Sequence, residues 1–216
     1  MIRKYTIYGE RCSGTNYLEE LMTLNFDIPL TWDYDHKHFF GFQDLNNSDD
    51  TLFIGIVREP YDWINSLYRE QHHLPKNFKN MDDFLNCEFY SLDYDTDIEF
   101  MQDRNMCKPD KRYENIFEMR NTKLSFLLDY MPSHVENYIL IRYEDLINDF
   151  QNTMYKIFQK GLKVKHNIEF PINTSNYKKS NYLIFVPNCK PNHIAKEKIF
   201  PRLNTTYENR VCYSLI

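Results

Sequence analysis

Glycine is scarce in this sequence, with five residues in a chain of 216. So little glycine leaves almost no material for flexible linkers, and no internal repeat divides the chain, so one ordered domain over 1–216 is expected. Cysteine is equally sparse and unpatterned. Cys12, Cys87, Cys107, Cys189 and Cys212 are odd in number and form no C-x-x-C pair, which argues against a disulfide framework or a cysteine-ligated zinc. No apolar run approaches the roughly 18 residues that a membrane span needs. The opening MIRKYTIYG enters an apolar strand without a signal-peptide pattern, so a cytoplasmic protein with no membrane partner is expected. Sequons at Asn46, Asn173 and Asn204 are what chance supplies in so Asn-rich a chain. An excess of positive charge is also missing. The net charge of −5 argues against a general nucleic-acid binder, whose affinity would rest on basic surface.

Core-forming material, by contrast, is plentiful: 42% of the residues are hydrophobic and 16% aromatic. They fall into alternating strand and helix patterns. Lys4 to Tyr8 is a short strand candidate ending at Gly9, and Leu18, Leu21 and Met22 then mark one face of a helix that starts near Thr15. TLFIGIV, Thr51 to Val57, is a nearly continuous apolar run of the kind a doubly covered parallel strand carries. Pro60 opens the next helix, continued by Trp63, Ile64 and Leu67. Phe117, Leu124, Leu127, Leu128 and Met131 mark a long amphipathic helix. YILIRY, Tyr138 to Tyr143, reads as another buried strand, followed by a helix through Phe150, Met154, Ile157 and Phe158. The fold class expected is α/β, with three layers and a central parallel sheet flanked by helices. Residues 71–112 are acidic and aromatic and suggest an insertion or lid, and 173–216 shows no period and is expected to be irregular.

The first strand–helix junction, YGERCSGTNYLEE, has the Gly9-to-Gly14 separation of a P-loop. Its lysine slot holds Thr15 and its magnesium-binding hydroxyl slot holds Asn16. A strand, a tight turn and a helix N-terminus still make an anion site, to which Ser13, Thr15 and Asn16 add neutral donors and Arg11 a charge. Ordinary helix capping by Ser13 or Thr15 is the alternative. In the second junction, IVREPYDWINSLYRE, Arg58 ends a buried strand and Ser66 follows eight residues later on the helix. Arg58 would share the loop's rim, because ligands of open α/β sheets bind beyond the carboxyl ends of the strands. An arginine and a hydroxyl converging there suit a second phosphate. A surface ion pair of Arg58 with Glu59 or Asp62 is the plainer alternative.

Together these stretches resemble the sulfotransferase family that uses 3′-phosphoadenosine 5′-phosphosulfate (PAPS). Ser13-Gly14-Thr15 is similar to its 5′-phosphosulfate loop, Arg58 and Ser66 to its 3′-phosphate pair, and IRYEDLINDF (Ile141 to Phe150) to its R-Y-E-D-L segment. The resemblance covers about 3–70 and 113–160. It implies a P-loop-like sulfotransferase fold, PAPS as co-substrate without a metal, and a nucleotide site of Arg11, Cys12, Ser13, Gly14, Thr15, Asn16, Arg58 and Ser66. The family's loop lysine falls on Cys12, so Arg11 is the candidate replacement for its charge. A 5′-phosphosulfate has no γ-phosphate, so the Walker lysine and magnesium hydroxyl would have nothing to hold.

Many members of the family carry a Lys and a nearby His after the second strand, and DHKHFFGF, Asp35 to Phe42, is similar. Lys37 is then the candidate stabiliser of the leaving oxygen and His38 the candidate base, with His36 its rival. A His36–His38 metal pair and a solvated loop are the other readings of this stretch. Lys178 and Lys179 are candidates for the 3′-phosphate without a motif match, while His72-His73 and Cys189 with His193 read as surface residues. The expected acceptor is a small hydroxylated or amino compound or a carbohydrate. Two alternatives belong to other classes: a P-loop kinase or NTPase with Glu144-Asp145 as its acidic pair, or a non-catalytic nucleotide-binding protein.

Overall fold

The computed structural model describes residues 1–71, 73–75, 78, 80–93, 95–96, 98–100, 103–165, 170–174 and 194–215. Three parallel strands carry the fold: β1 (Lys4–Tyr8), β2 (Thr51–Val57) and β3 (Tyr138–Arg142), in the order β1-β2-β3. Lys4 pairs with Thr51 and Phe53 with Tyr138, so the carboxyl ends of all three strands come out on one side. Every residue of β2 is buried, as its unbroken apolar run requires of a central strand. In β3 only Ile141 is fully buried, which corrects the expectation of a second buried strand. Among the described residues β3 is an edge, and its outer side lacks a neighbouring strand.

Alternate residues of the strands feed opposite layers, as the two-residue repeat of a strand dictates. Tyr5, Ile7, Ile54, Ile56 and Ile141 pack with α1 (Thr15–Asn25), α6 (Tyr143–Asn148) and α7 (Phe150–Phe158) through Leu18, Leu21, Leu146, Met154 and Ile157. On the other face, Tyr8, Phe53 and Val57 meet Phe40, Leu124, Leu127 and Met131. The last three come from a continuous helical run. It begins as α4 (Ile116–Ser125), widens to a π turn over Phe126–Tyr130 and ends as α5 (Met131–His134). Asn115 starts that run by accepting from the N–H groups of Phe117 and Glu118 at 2.9 and 3.1 Å. The long helix predicted through Met131 is present, with a π turn that the apolar spacing does not reveal.

A third apolar cluster joins α2 (Pro60–Glu70) and α4 to α3 (Met81–Asn86). Phe84, Leu85 and Phe89 of the 71–112 segment are buried in it, so this segment helps to build the core. The chain after 193 is not irregular as expected. It forms α8 (Lys196–Ile199), a 3₁₀ turn at Phe200–Arg202 and α9 (Thr205–Arg210). Helices of four to six residues are too short for a period to repeat, which is why the sequence pattern gave no sign of them.

α9 docks through one buried ion pair. Arg120 donates from Nε and Nη2 to both carboxylate oxygens of Glu208 at 2.6 and 2.8 Å, and Glu208 is wholly buried. Removing one member of such a pair leaves the other charged and desolvated, a loss of about 3–5 kcal/mol. Glu208→Ala is therefore expected to lower unfolding free energy in urea by that amount. Asp27→Ala, which breaks the exposed Lys163–Asp27 pair, is expected to change it little. Equal effects from the two variants would contradict the role given to the Arg120–Glu208 pair.

Candidate active site

The loop between β1 and α1 lies hard against the rest of the rim. A Cβ on Gly9 would sit 2.6 Å from Ile56 Cγ2, and one on Gly14 would sit 2.4 Å from the Tyr143 ring. Gly14 also has φ +93°, a conformation that side chains rarely adopt, so both positions require glycine. Cys12 takes a left-handed φ of 63° between them. No side chain caps α1. The Ser13 hydroxyl turns back to the Glu10 carbonyl at 2.5 Å, which removes the ordinary capping alternative. The N–H groups of the first turn of α1 thus keep their donor capacity for an anion, reinforced by the helix dipole.

Arg58, at the end of β2, reaches this loop. Its Nη1 donates to the Cys12 carbonyl at 2.9 Å, and its guanidinium lies 4.7 Å from the centre of the Tyr143 ring. Arg58 Nε is buried without a hydrogen-bond partner. Ser66, two turns along α2, lies near enough to the Cys12 thiol to favour its charged form, against burial, which pushes that thiol above its ordinary pKa. Arg58 and Ser66 therefore converge on one residue of the loop. Contact with Cys12 replaces the alternative in which Arg58 merely pairs with its neighbours Glu59 and Asp62. Beside them a pocket is walled by Glu10, Ser13, Arg58, Arg120 and Lys123, with Ile56, Val57, Leu124 and Leu127 as its apolar side.

Arg11 has a different task from the one expected. Its guanidinium is buried, 2.6 Å from Ser91 Oγ and 3.3 Å from Asp103 Oδ2, and it lies over the Phe89 ring. A buried guanidinium needs an anionic partner, and Asp103 of the 71–112 segment supplies it. Arg11 is a strut between loop and segment, which corrects its assignment as the loop's stand-in for lysine. Lys178, Lys179, His72, Cys189 and His193 lie outside the described residues.

The stretch after β1 returns to the loop at Gly9. Gly9 N–H donates to the Lys37 carbonyl at 2.9 Å, and His38 Nδ1 lies 2.7 Å from the Gly9 carbonyl. A carbonyl only accepts, so Nδ1 carries the proton and Nε2 keeps the lone pair. Burial holds the His38 pKa well below its ordinary value, with Arg11, His36 and Lys37 acting in the same direction against the Gly9 bond. The ring is consequently a neutral imidazole near pH 7. Lys37 Nζ bonds Asn16 Oδ1 at 2.5 Å and Glu19 Oε2 at 2.8 Å, which places an ammonium at the first turn of α1. His36 is exposed and stacks on Trp32, with ring centres 5.3 Å apart. The structure thus separates the two histidines: His38 is tied to the loop and His36 faces outward.

Three groups of the site carry no local sequence signal. Glu10, Asp103 and Lys123 form a buried cluster below the loop, in which Lys123 Nζ lies 2.9 Å from Asp103 Oδ1 and 3.3 Å from Glu10 Oε1. The carboxylates proposed for a kinase are committed elsewhere. Glu144 accepts from Glu59 N–H at 2.9 Å and Tyr213 hydroxyl at 2.7 Å, while Asp145 pairs with Arg142. They bind the rim together, and Asp145 has an arginine where a Walker acid would face magnesium.

Comparisons with known proteins add a likeness in fold. No family model and no curated protein matches the chain. Among solved structures it is similar to the crystal structure of mouse sulfotransferase SULT7A1 complexed with PAP, at 17% identity and a TM-score of 0.41. That match covers 73% of this chain and 57% of the other, so the chain spans a little over half of that protein's length. At this identity and score the likeness adds nothing to the geometry of the site.

The half-buried neutral imidazole has a consequence for stability. Below the ordinary histidine pKa of 6.5 the unfolded chain takes up a proton that folded His38 refuses. Stability from this group is complete above pH 6.5 and is lost as pH falls, at a limiting slope of about 1.4 kcal/mol per pH unit. Burial pushes the Glu10 carboxyl upward, which acts in the opposite sense. Comparing urea unfolding of wild type and His38→Gln between pH 7.5 and 5 isolates the histidine. The variant is expected to lose less stability on acidification; parallel curves would contradict the depressed pKa of the His38 ring.

Proposed function

We propose that the chain is a PAPS-dependent sulfotransferase, acting in the cytoplasm as a single domain on a small-molecule or carbohydrate acceptor. The observation that carries this reading is the convergence of Arg58 and Ser66 on Cys12, beside the uncapped N-terminus of α1. Two anion positions side by side suit a nucleotide phosphorylated at both the 3′ and 5′ positions. The buried, partnerless Nε of Arg58 is a donor that a 3′-phosphate would satisfy. The α1 N–H groups and the Thr15 hydroxyl would receive the 5′-phosphosulfate.

In this reading the acceptor hydroxyl oxygen attacks sulfur in line. The bond between sulfur and the bridging phosphate oxygen breaks, the acceptor proton passes to His38 Nε2, and phosphoadenosine phosphate leaves. Lys37, at the helix end, offsets charge growing on the leaving oxygen. No metal step is needed, because the leaving group is already a phosphate.

Two sets of measurements test the assignment. Phosphoadenosine phosphate in EDTA is expected to raise Tm more than ATP with magnesium does; a magnesium-dependent shift from ATP alone would favour the kinase class. Arg58→Ala is expected to weaken the 3′-phosphorylated nucleotide about tenfold or more, the worth of a charge-assisted contact, while leaving the analogue without that phosphate almost unchanged. Equal weakening of both would make Arg58 structural. In turnover, His38→Ala is expected to lower kcat by roughly 10²–10⁴-fold with nucleotide affinity retained. His36→Ala is expected to remain active, and the reverse pattern would move the base to His36.

A further inference from the structure

The Lys123 ammonium sits where three segments distant in sequence meet. It donates to the His38 carbonyl at 2.7 Å and to Asp103 Oδ1 at 2.9 Å, and it forms an ion pair with Glu10 Oε1 at 3.3 Å. These belong to the base-bearing stretch, the 71–112 segment and the phosphate loop respectively. The Lys123 side chain is 3% exposed and that of Asp103 is 1% exposed, so solvent screens neither. Apolar side chains of the same volume often stabilise a core as well as buried ions do. What an ammonium supplies and a methionine does not is a directed bond to one backbone carbonyl.

That carbonyl belongs to His38. The same residue is held from its other side by the Nδ1 bond to Gly9, and its preceding residue by the Gly9 N–H. We propose that Lys123 is a positioning residue for His38, fixing the backbone at 37–39 so that the imidazole stays on the Gly9 carbonyl with Nε2 as proton acceptor. The charged and titratable groups facing His38 are His36 and Lys37 on its own stretch and Arg11 on the loop, while Lys123 reaches its carbonyl from α4. Asp103 and Glu10 hold Lys123 in its charged form against burial. The cluster is balanced, since Asp103 also pairs with Arg11. Only the role of His38 as base rests on the sulfotransferase reading; the positioning itself does not.

Lys123→Met alone removes the cation beside Glu10, leaves Asp103 to Arg11, and is expected to be unstable. The deciding protein is the double variant Lys123→Met with Glu10→Gln, which removes one charge of each sign and leaves Arg11 paired with Asp103. With circular dichroism confirming that it is folded, two quantities are read. The first is the nitrogen chemical shifts of His38 across pH, with His38→Gln giving the assignment. Wild type is expected to show one neutral Nδ1–H tautomer with a depressed pKa. The double variant is expected to show mixed tautomers titrating nearer the ordinary value of about 6.5. The second is sulfuryl transfer, where kcat is expected to fall about tenfold or more while KM for PAPS changes little, a part of what general base catalysis supplies. A folded double variant with wild-type His38 titration overturns the proposal and makes Lys123 a core ion only. If wild type transfers no sulfuryl group from PAPS, the functional reading fails, and the His38 titration still decides the positioning.

Discussion

The rim of this protein depends on how closely one loop approaches the ends of two strands. Gly9 lies against Ile56 of β2, and Gly14 lies against the ring of Tyr143 where β3 gives way to α6, at separations that admit no Cβ. That contact brings the loop's Cys12 to Arg58 and Ser66, and Gly9 to Lys37 and His38. It also sets the start of α1, whose first turn has no side-chain cap. Two of the chain's five glycines are spent here, in a sequence that has few to spare.

Charge is arranged around that contact in two tiers. Below the loop, charges are paired: Arg11 with Asp103, Lys123 with Asp103 and Glu10, and Arg120 with Glu208. Groups like these are costly to separate and hold loop, helix and 71–112 segment in one register. At the rim the pattern changes. Arg58 uses Nη1 on a backbone carbonyl and keeps a buried Nε without a partner, while Lys37 stands at the helix end. The first tier explains why the second can remain polar and incompletely paired without collapsing, since its backbone is fixed from beneath.

Much of the fold was legible because its signals are local. The apolar run of β2, the proline that opens α2 and the spacing of Leu18, Leu21 and Met22 each depend on neighbours in sequence, and each element lies where its pattern places it. The Arg58–Ser66 spacing was legible for the same reason, being one helix's geometry. Side-chain direction was not. Whether Arg11 faces a ligand or the core is decided by Asp103, 92 residues away, and nothing near Arg11 records that partner. Lys123 is hidden likewise, since a charge on a buried helix face acquires a meaning only when its distant partners are seen together. β3 reads like β2 in composition, yet an edge and a centre differ only in what lies beside them.

The most direct measurement is a crystal structure with phosphoadenosine phosphate bound. The account predicts the 3′-phosphate within about 2.7–3.2 Å of Arg58 and the Ser66 hydroxyl, and the 5′-phosphate on the first-turn N–H groups of α1. His38 is then expected to face the open side of that phosphate with Nδ1 still on Gly9. A nucleotide bound elsewhere, leaving Arg58 and Ser66 on Cys12 as they are, would contradict it.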